Sequence, residues 1–191
     1  MKFILKKILL LVANFKYYRK LVISKIFGDY VLNNFIETCS ERHLVYFLNK
    51  LGADIAPTCN VRQGLVFDNT YFKYSNLKVS DNVYIGKKVF LDMVDDIIIE
   101  KDAVISEGVS ILTHQDVGDR MLSQYYKRKT GAVTIGEGSF IGANATILCG
   151  VIIGKSSVIG AGSVVINNIP DFTVVGGVPA KYIKSVKVAA K

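Results

Sequence analysis

A chain of 191 residues, half of them hydrophobic, is long enough for one domain with a sizeable core and a small appendage. The formal net charge of +8 sits mostly at one end. Residues 1–27 hold Lys2, Lys6, Lys7, Lys16, Arg19, Lys20 and Lys25 and no acid, which leaves the other 164 residues at +1. A body so near neutral argues against nucleic acid as a partner. Cys39, Cys59 and Cys149 are odd in number, widely spaced and free of any CxxC pair, the pattern of reduced thiols in a cytoplasmic compartment.

The first 27 residues are apolar as well as cationic. Their longest apolar run is the six residues Ile8–Ala13, far short of the roughly 20 that cross a bilayer. At 100° per residue, Lys2, Lys6, Lys16, Arg19 and Lys20 share one arc and Ile4, Ile8, Leu11, Phe15 and Val22 share the opposite one. This amphipathic helix has two readings. It either makes peripheral contact with an anionic membrane, on the inner face, or packs on its own protein and caps the domain. Gly28 interrupts it. Thr38-Cys39-Ser40-Glu41 has the spacing of a capping box, and Leu44, Phe47, Leu48 and Leu51 come after it at helical spacing, so a second helix is expected over about 40–51, ended by Gly52. His43 lies on it as an ordinary surface histidine. Residues 1–51 thus form a helical N-terminal segment.

After Gly52 the period changes to six. Ile135, Ile141, Ile147, Ile153, Ile159 and Val165 recur in phase, and Gly comes next at 136, 142, 154 and 160. No helix has that period; it marks a hexapeptide β-helix. The aliphatic points inward, three sixes close one triangular coil, and residues 18 apart stack. Gly after the aliphatic is expected to relieve the turn. The repeat is looser upstream: Ile55 and Val61 open it, Val79, Ile85 and Leu91 continue it, Val94-Asp95-Asp96 adds two residues, and Ile99, Ile105 and Ile111 resume. Residues 115–132 lack the period and are expected to form a loop extruded from the coil.

These repeats, the loop and the ending Val175-Gly176-Gly177-Val178-Pro179-Ala180-Lys181 resemble the hexapeptide-repeat acyltransferases, in particular the maltose, galactoside and capsular or colanic-acid O-acetyltransferase branch. The resemblance covers about residues 50–185 and implies a left-handed parallel β-helix domain over 52–185, with 186–191 as a C-terminal tail. It also implies a homotrimer with sites between subunits, acetyl-CoA as co-substrate with no metal, and a sugar or lipid-linked glycan as acceptor, in bacterial surface polysaccharide synthesis.

His114 ends a repeat just before the loop, where that family places its catalytic histidine. Imidazole can take a hydroxyl proton near neutral pH and later protonate a thiolate. The resemblance makes Asp92 and Asp96 candidates for holding the acceptor; the plain alternative is acids solvating a kinked corner. It puts a backbone donor for the acyl oxygen at Gly142-Ala143, pantetheine near Ala161 and Gly162, and CoA phosphates near Lys181 and Lys184. Phe140 stands where many relatives have Trp, Ala132 and Cys149 where Pro is common, and Ile166-Asn167 replaces a usual Thr-Lys pair at the nucleotide end. A zinc carbonic anhydrase on this coil needs three histidines, and the chain has two. Serine acetyltransferases resemble it but carry longer helical N-terminal domains. A non-catalytic trimeric coil and an acetyltransferase with a small non-sugar acceptor are the other readings.

Overall fold

A computed structural model describes residues 2–71 and 73–186, with side chains from Leu5 onward. Three helices come first: α1 (Lys2–Phe27), α2 (Tyr30–Glu37) and α3 (Glu41–Lys50). The α2 helix is not legible in the sequence beside Gly28, and its presence changes the junction before α3. Thr38 closes α2, and Ser40 is the residue before α3. No capping box forms: Ser40 makes no side-chain cap, and Glu41 turns instead to Arg62 at 3.1 Å and to the Gln63 amide. Leu44, Phe47 and Leu48 are buried, as their spacing requires.

Short parallel strands then stack into a β-helix with three faces. The first face stacks Ile55, Val79, Ile99, Ile135 and Ile153; the second Val61, Ile85, Ile105, Ile141, Ile159 and Val175; the third Phe67, Leu91, Ile111, Ile147 and Val165. Every one of these side chains is buried. Ile135–Ile153, Ile141–Ile159 and Ile147–Val165 are 18 apart, and the 20-residue step from Leu91 to Ile111 contains the expected two-residue insertion. The step from Phe67 to Leu91 is 24 residues. That insertion equals one whole repeat, so it keeps the phase of six and cannot be seen in the spacing. It carries Thr70 and Tyr74, both fully buried; the Tyr74 ring packs edge-on against Phe67 and its hydroxyl donates to the Asn33 side-chain carbonyl of α2.

The glycines do something other than turn the chain. Positive φ falls three residues after many of the inward aliphatics, at Asn82, Lys88, Asp102, Gly108, Gly138, Asn144, Ser156 and Gly162. Gly136, Gly142 and Gly154, one residue after it, are needed for close approach. A Cβ there would lie 2.7 Å from Ile153 O, 2.6 Å from Ala161 N and 2.4 Å from Asp171 N of the next coil. At these three corners the backbone of the next coil leaves no room for a methyl group.

The open end of the coil is covered by α2 and α3, whose Ile36, Leu44, Phe47 and Leu48 join Ile55, Val61, Leu65 and Phe67 in one apolar cluster. Asn49 of α3 pins the first strand twice, donating to Ile55 O at 2.8 Å and accepting from Ile55 N at 3.0 Å. A terminal repeat with one apolar face must be capped in this way. At the other end Thr173–Gly176 pairs antiparallel with Lys181–Ser185. Residues 187–191 of the expected tail lie outside the described residues.

Two substitutions test this packing. Gly142→Ala should lower stability by about 1–3 kcal/mol, the cost of overpacking, read as a fall in Tm. Ile153→Asp places an unpaired charge between Ile135 and Ile169 and should abolish folding; a soluble, fully stable variant would contradict the inward frame.

Candidate active site

The corner between the third and first faces gathers His114, Asp92 and Asn69 on successive coils. Asp92 Oδ2 lies 2.6 Å from His114 Nδ1 and also accepts the backbone N–H groups of Thr113 and His114, each at 2.9 Å. Asp92 Oδ1 accepts from the Asn69 amide at 2.9 Å. The Thr113 hydroxyl donates to Asp92 O at 2.6 Å and accepts from Asp95 N, locking the corner that the two-residue insertion creates. The Asp92 side chain is 2 % exposed and that of His114 24 %. Burial pushes the Asp92 carboxyl up, but hydrogen bonds from His114, Asn69 and Thr113 and the charge on His114 outweigh it, so it ends below the usual aspartate value. An ionised carboxylate only accepts, so Nδ1 carries the proton and Nε2 of the neutral ring holds the lone pair.

Asp92 is therefore not free to grip an acceptor: both oxygens are occupied, and its role in the geometry is to orient His114. Asp96 does not join the cluster. Its carboxylate pairs with Lys78 at 2.7 Å on the surface. Sequence reasoning misses Asn69 because it lies at the start of the insertion that preserves the phase. Beside it a cavity of about 430 Å³ is lined by Asp29, Asn33, Asn34, Glu37, Asp68 and Tyr71, among others.

The extruded loop leaves directly from His114. His114-Gln115 pairs antiparallel with Lys129-Thr130, so the loop stands on a two-stranded stem. Arg128 meets Asp116 at 3.3 Å across it, and Met121, Leu122 and Tyr125 are exposed.

The residues expected at the cofactor lie elsewhere. Gly142, Ala143, Ala161 and Gly162 occupy the corner between the second and third faces, a whole face away from His114 within one chain. The Gly142 N–H is spent in the ladder, donating to Ile159 O at 2.9 Å, so it is not an oxyanion donor. The Ala143 N–H has no partner among the described residues. Gly162 is exposed, and a Cβ on it would meet nothing within 4 Å. Lys181 and Lys184 are exposed on the terminal hairpin, with no carboxylate within 4 Å among the described residues. An open small-residue corner with a spare N–H and unpaired cations beyond it fits the narrow pantetheine arm and phosphates of coenzyme A. The described residues include no group of three or more His, Cys, Asp or Glu able to hold a metal ion.

Asp92→Asn should weaken the fold most at neutral pH. The Asp92 carboxylate is stabilised in the folded state, so its contribution is present above the usual aspartate pKa and is lost as pH falls through its lower folded value. Thermal melts of the two proteins should therefore converge on the acid side; a constant gap down to the lowest folded pH refutes the ionised pair.

Known proteins agree with this architecture. Residues 132–167 match the bacterial transferase hexapeptide (six repeats) family. The chain is 38% identical over 114 residues to WbbJ of Escherichia coli K12, named for lipopolysaccharide biosynthesis O-acetyl transfer, covering 55% of this chain and 58% of WbbJ. It is 37% identical over 107 residues to serine acetyltransferase 2 of Arabidopsis thaliana, covering 52% and 30%. The matches thus span little more than half of these relatives at most. Among solved structures, a maltose O-acetyltransferase from Clostridium difficile superposes with a TM-score of 0.73 at 26% identity over 88% of this chain and 89% of that one. A hexapeptide-repeat acetyltransferase from Vibrio cholerae does so at 0.71 and 26% over 82% and 88%, and has also been solved with acetyl coenzyme A. By repeat, strand register and matching structures, this chain carries the hexapeptide-repeat β-helix, and its residues 132–167 are similar to the bacterial transferase hexapeptide family.

Proposed function

We propose that this chain is an O-acetyltransferase that moves acetyl from acetyl-CoA to a sugar hydroxyl, in the cytoplasmic assembly of a bacterial surface polysaccharide. The observation that carries the reading is the His114–Asp92 pair. A buried carboxylate fixes the tautomer, Nε2 is left basic, and the ring edge reaches solvent where the loop departs. Nε2 takes the acceptor's hydroxyl proton as the oxygen attacks, Asp92 stabilises the imidazolium that results, and the same nitrogen returns the proton to the departing sulfur. Acetyl-CoA, when bound, supplies the activated thioester.

His114 and the Ala143–Gly162 corner are a face apart in one chain, so a complete site needs two copies set side by side. That supports a homotrimer with three shared sites. Ala143 supplies the spare backbone donor, Ala161 and Gly162 leave room for the pantetheine arm, and Lys181 and Lys184 neutralise phosphates in place of the absent Thr-Lys pair. The cavity beside Asn69, lined by the amides of Asn33, Asn34 and Asn69 and the carboxylates of Asp29, Glu37 and Asp68, suits sugar hydroxyls, which can donate to the carboxylates and exchange hydrogen bonds with the amides. WbbJ supports the polysaccharide setting. The serine acetyltransferase match favours a second reading, a small hydroxy-amino-acid acceptor. Free Cys39, Cys59 and Cys149 suit the cytoplasm, and burial pushes the Cys39 thiol up to about 11, where it is unreactive.

His114→Ala should lower acetyl transfer by about 10²–10⁴-fold, the range for a lost general base, with fold and oligomer unchanged. The assay uses labelled acetyl-CoA against glycan acceptors and serine in parallel. Near-normal turnover by the variant sinks the mechanism, and transfer to serine alone selects the second reading. A Tm that does not rise at saturating acetyl-CoA would favour a non-catalytic module.

A further inference from the structure

The helix α1 has two apolar faces, and only one is used by the protein. Ala13, Tyr17 and Leu21 pack towards the other helices, and Ser24 is buried on the same side. Tyr17 is buried, stacked 5.1 Å from Phe47 and 5.9 Å from Phe35, and Lys50 of α3 reaches Asn14 and the Tyr18 hydroxyl, each at 3.2 Å. The face expected from the sequence to be the apolar arc points the other way. Ile8, Leu11, Phe15 and Val22 of that arc, and Ile26 in line with them, are all at least half exposed, with Phe15 at 70%. At 100° per residue they fall within about 60° of arc, roughly 150° round from the docked face. The side chains of Lys2 and Ile4 lie outside the described residues.

Capping and anchoring are therefore not alternatives for this helix. The cap is made by α2 and α3, α1 is held on them by one face, and the second face is left over. Its surroundings say what covers it. Lys7 and Lys25 border the exposed arc on one side, on the other Arg19 and Lys16 alternate with the exposed Val12 and Leu5, and residues 1–27 contain no acid at all. A second copy of α1 would bring like charges together along its whole length. No described helix is long and apolar enough to cross a membrane. An exposed apolar strip bordered by cations on both sides, on a helix already fixed to a folded body, matches the interface of an anionic bilayer, where rings and aliphatics enter the acyl boundary and the cations meet headgroup phosphates.

We propose that α1 docks the folded protein flat on an anionic membrane surface through Ile8, Leu11, Phe15, Val22 and Ile26, leaving the coil in solution. This docking is independent of the acetyl-transfer reading. Several copies in one oligomer would strengthen it by avidity.

The test is flotation of the full-length protein with vesicles of phosphatidylcholine and phosphatidylglycerol, and with pure phosphatidylcholine, at low and high salt. Tm and oligomer mass are measured alongside. Binding should occur to the anionic vesicles at low salt and fall roughly tenfold or more at high salt or on neutral vesicles. Leu11→Glu with Phe15→Glu should abolish it while Tm and mass stay unchanged, because both residues are solvent-exposed on a helix that tolerates Glu. Arg19→Glu with Lys25→Glu keeps the apolar strip and should weaken binding on its own, which covers the case of the first variant misfolding. Absence of binding to anionic vesicles at low salt overturns the proposal. So does an oligomer mass that falls in the Leu11/Phe15 variant without vesicle binding by the parent protein, since the strip is then an interface between copies.

Discussion

The spacing between one coil and the next governs the rest of this structure. Parallel strands stack about 4.8 Å apart, and at that distance every inward aliphatic meets its counterpart from the neighbouring coils while every backbone N–H of a strand finds a carbonyl. The same distance excludes a Cβ at Gly136, Gly142 and Gly154. Many corners turn through a left-handed residue, taken up by Asn, Asp, Ser, Lys and Gly.

The site arises where that regularity is broken. Two extra residues between Leu91 and Ile99, six between Phe67 and Val79, and the loop after His114 all fall at one corner. A regular coil has no reason to bury a carboxylate, because an inward acid lacks partners. The displaced backbone here supplies them: two N–H groups, an amide and an imidazole converge on Asp92. A rigid stack thus holds His114 in one tautomer and one orientation, while the loop rooted at the same residue remains exposed.

The helical segment solves a separate problem. A coil ends in an unpaired apolar layer, and α2 and α3 cover it with Phe47, Leu48 and Ile36. Once they do, α1 has only to pack on the outside of the cap, and the remainder of its apolar surface is left to solvent. Spacing alone picks out the exposed arc, whereas the docked face around Tyr17 and Leu21, about 150° round from it, shows only once α2 and α3 are in place.

The sequence by itself determined the coil, its phase from Ile135 to Val165, the extruded loop, the insertion at Val94–Asp96 and the place of His114 at the root of the loop, because each depends on residues near one another in the chain. It could not determine what depends on residues a coil apart. The steric role of Gly136, Gly142 and Gly154 and the commitment of the Gly142 N–H to Ile159 both come from contacts with the next coil. The contribution of Asn69 was hidden because a six-residue insertion leaves a six-residue period intact. Asp92 looked like an exposed acid and is instead the buried partner of His114, 22 positions away in sequence and 2.6 Å away in space. Only the tertiary structure decides which acid loses its water, since desolvation is a property of everything packed around the group and not of its neighbours in the chain.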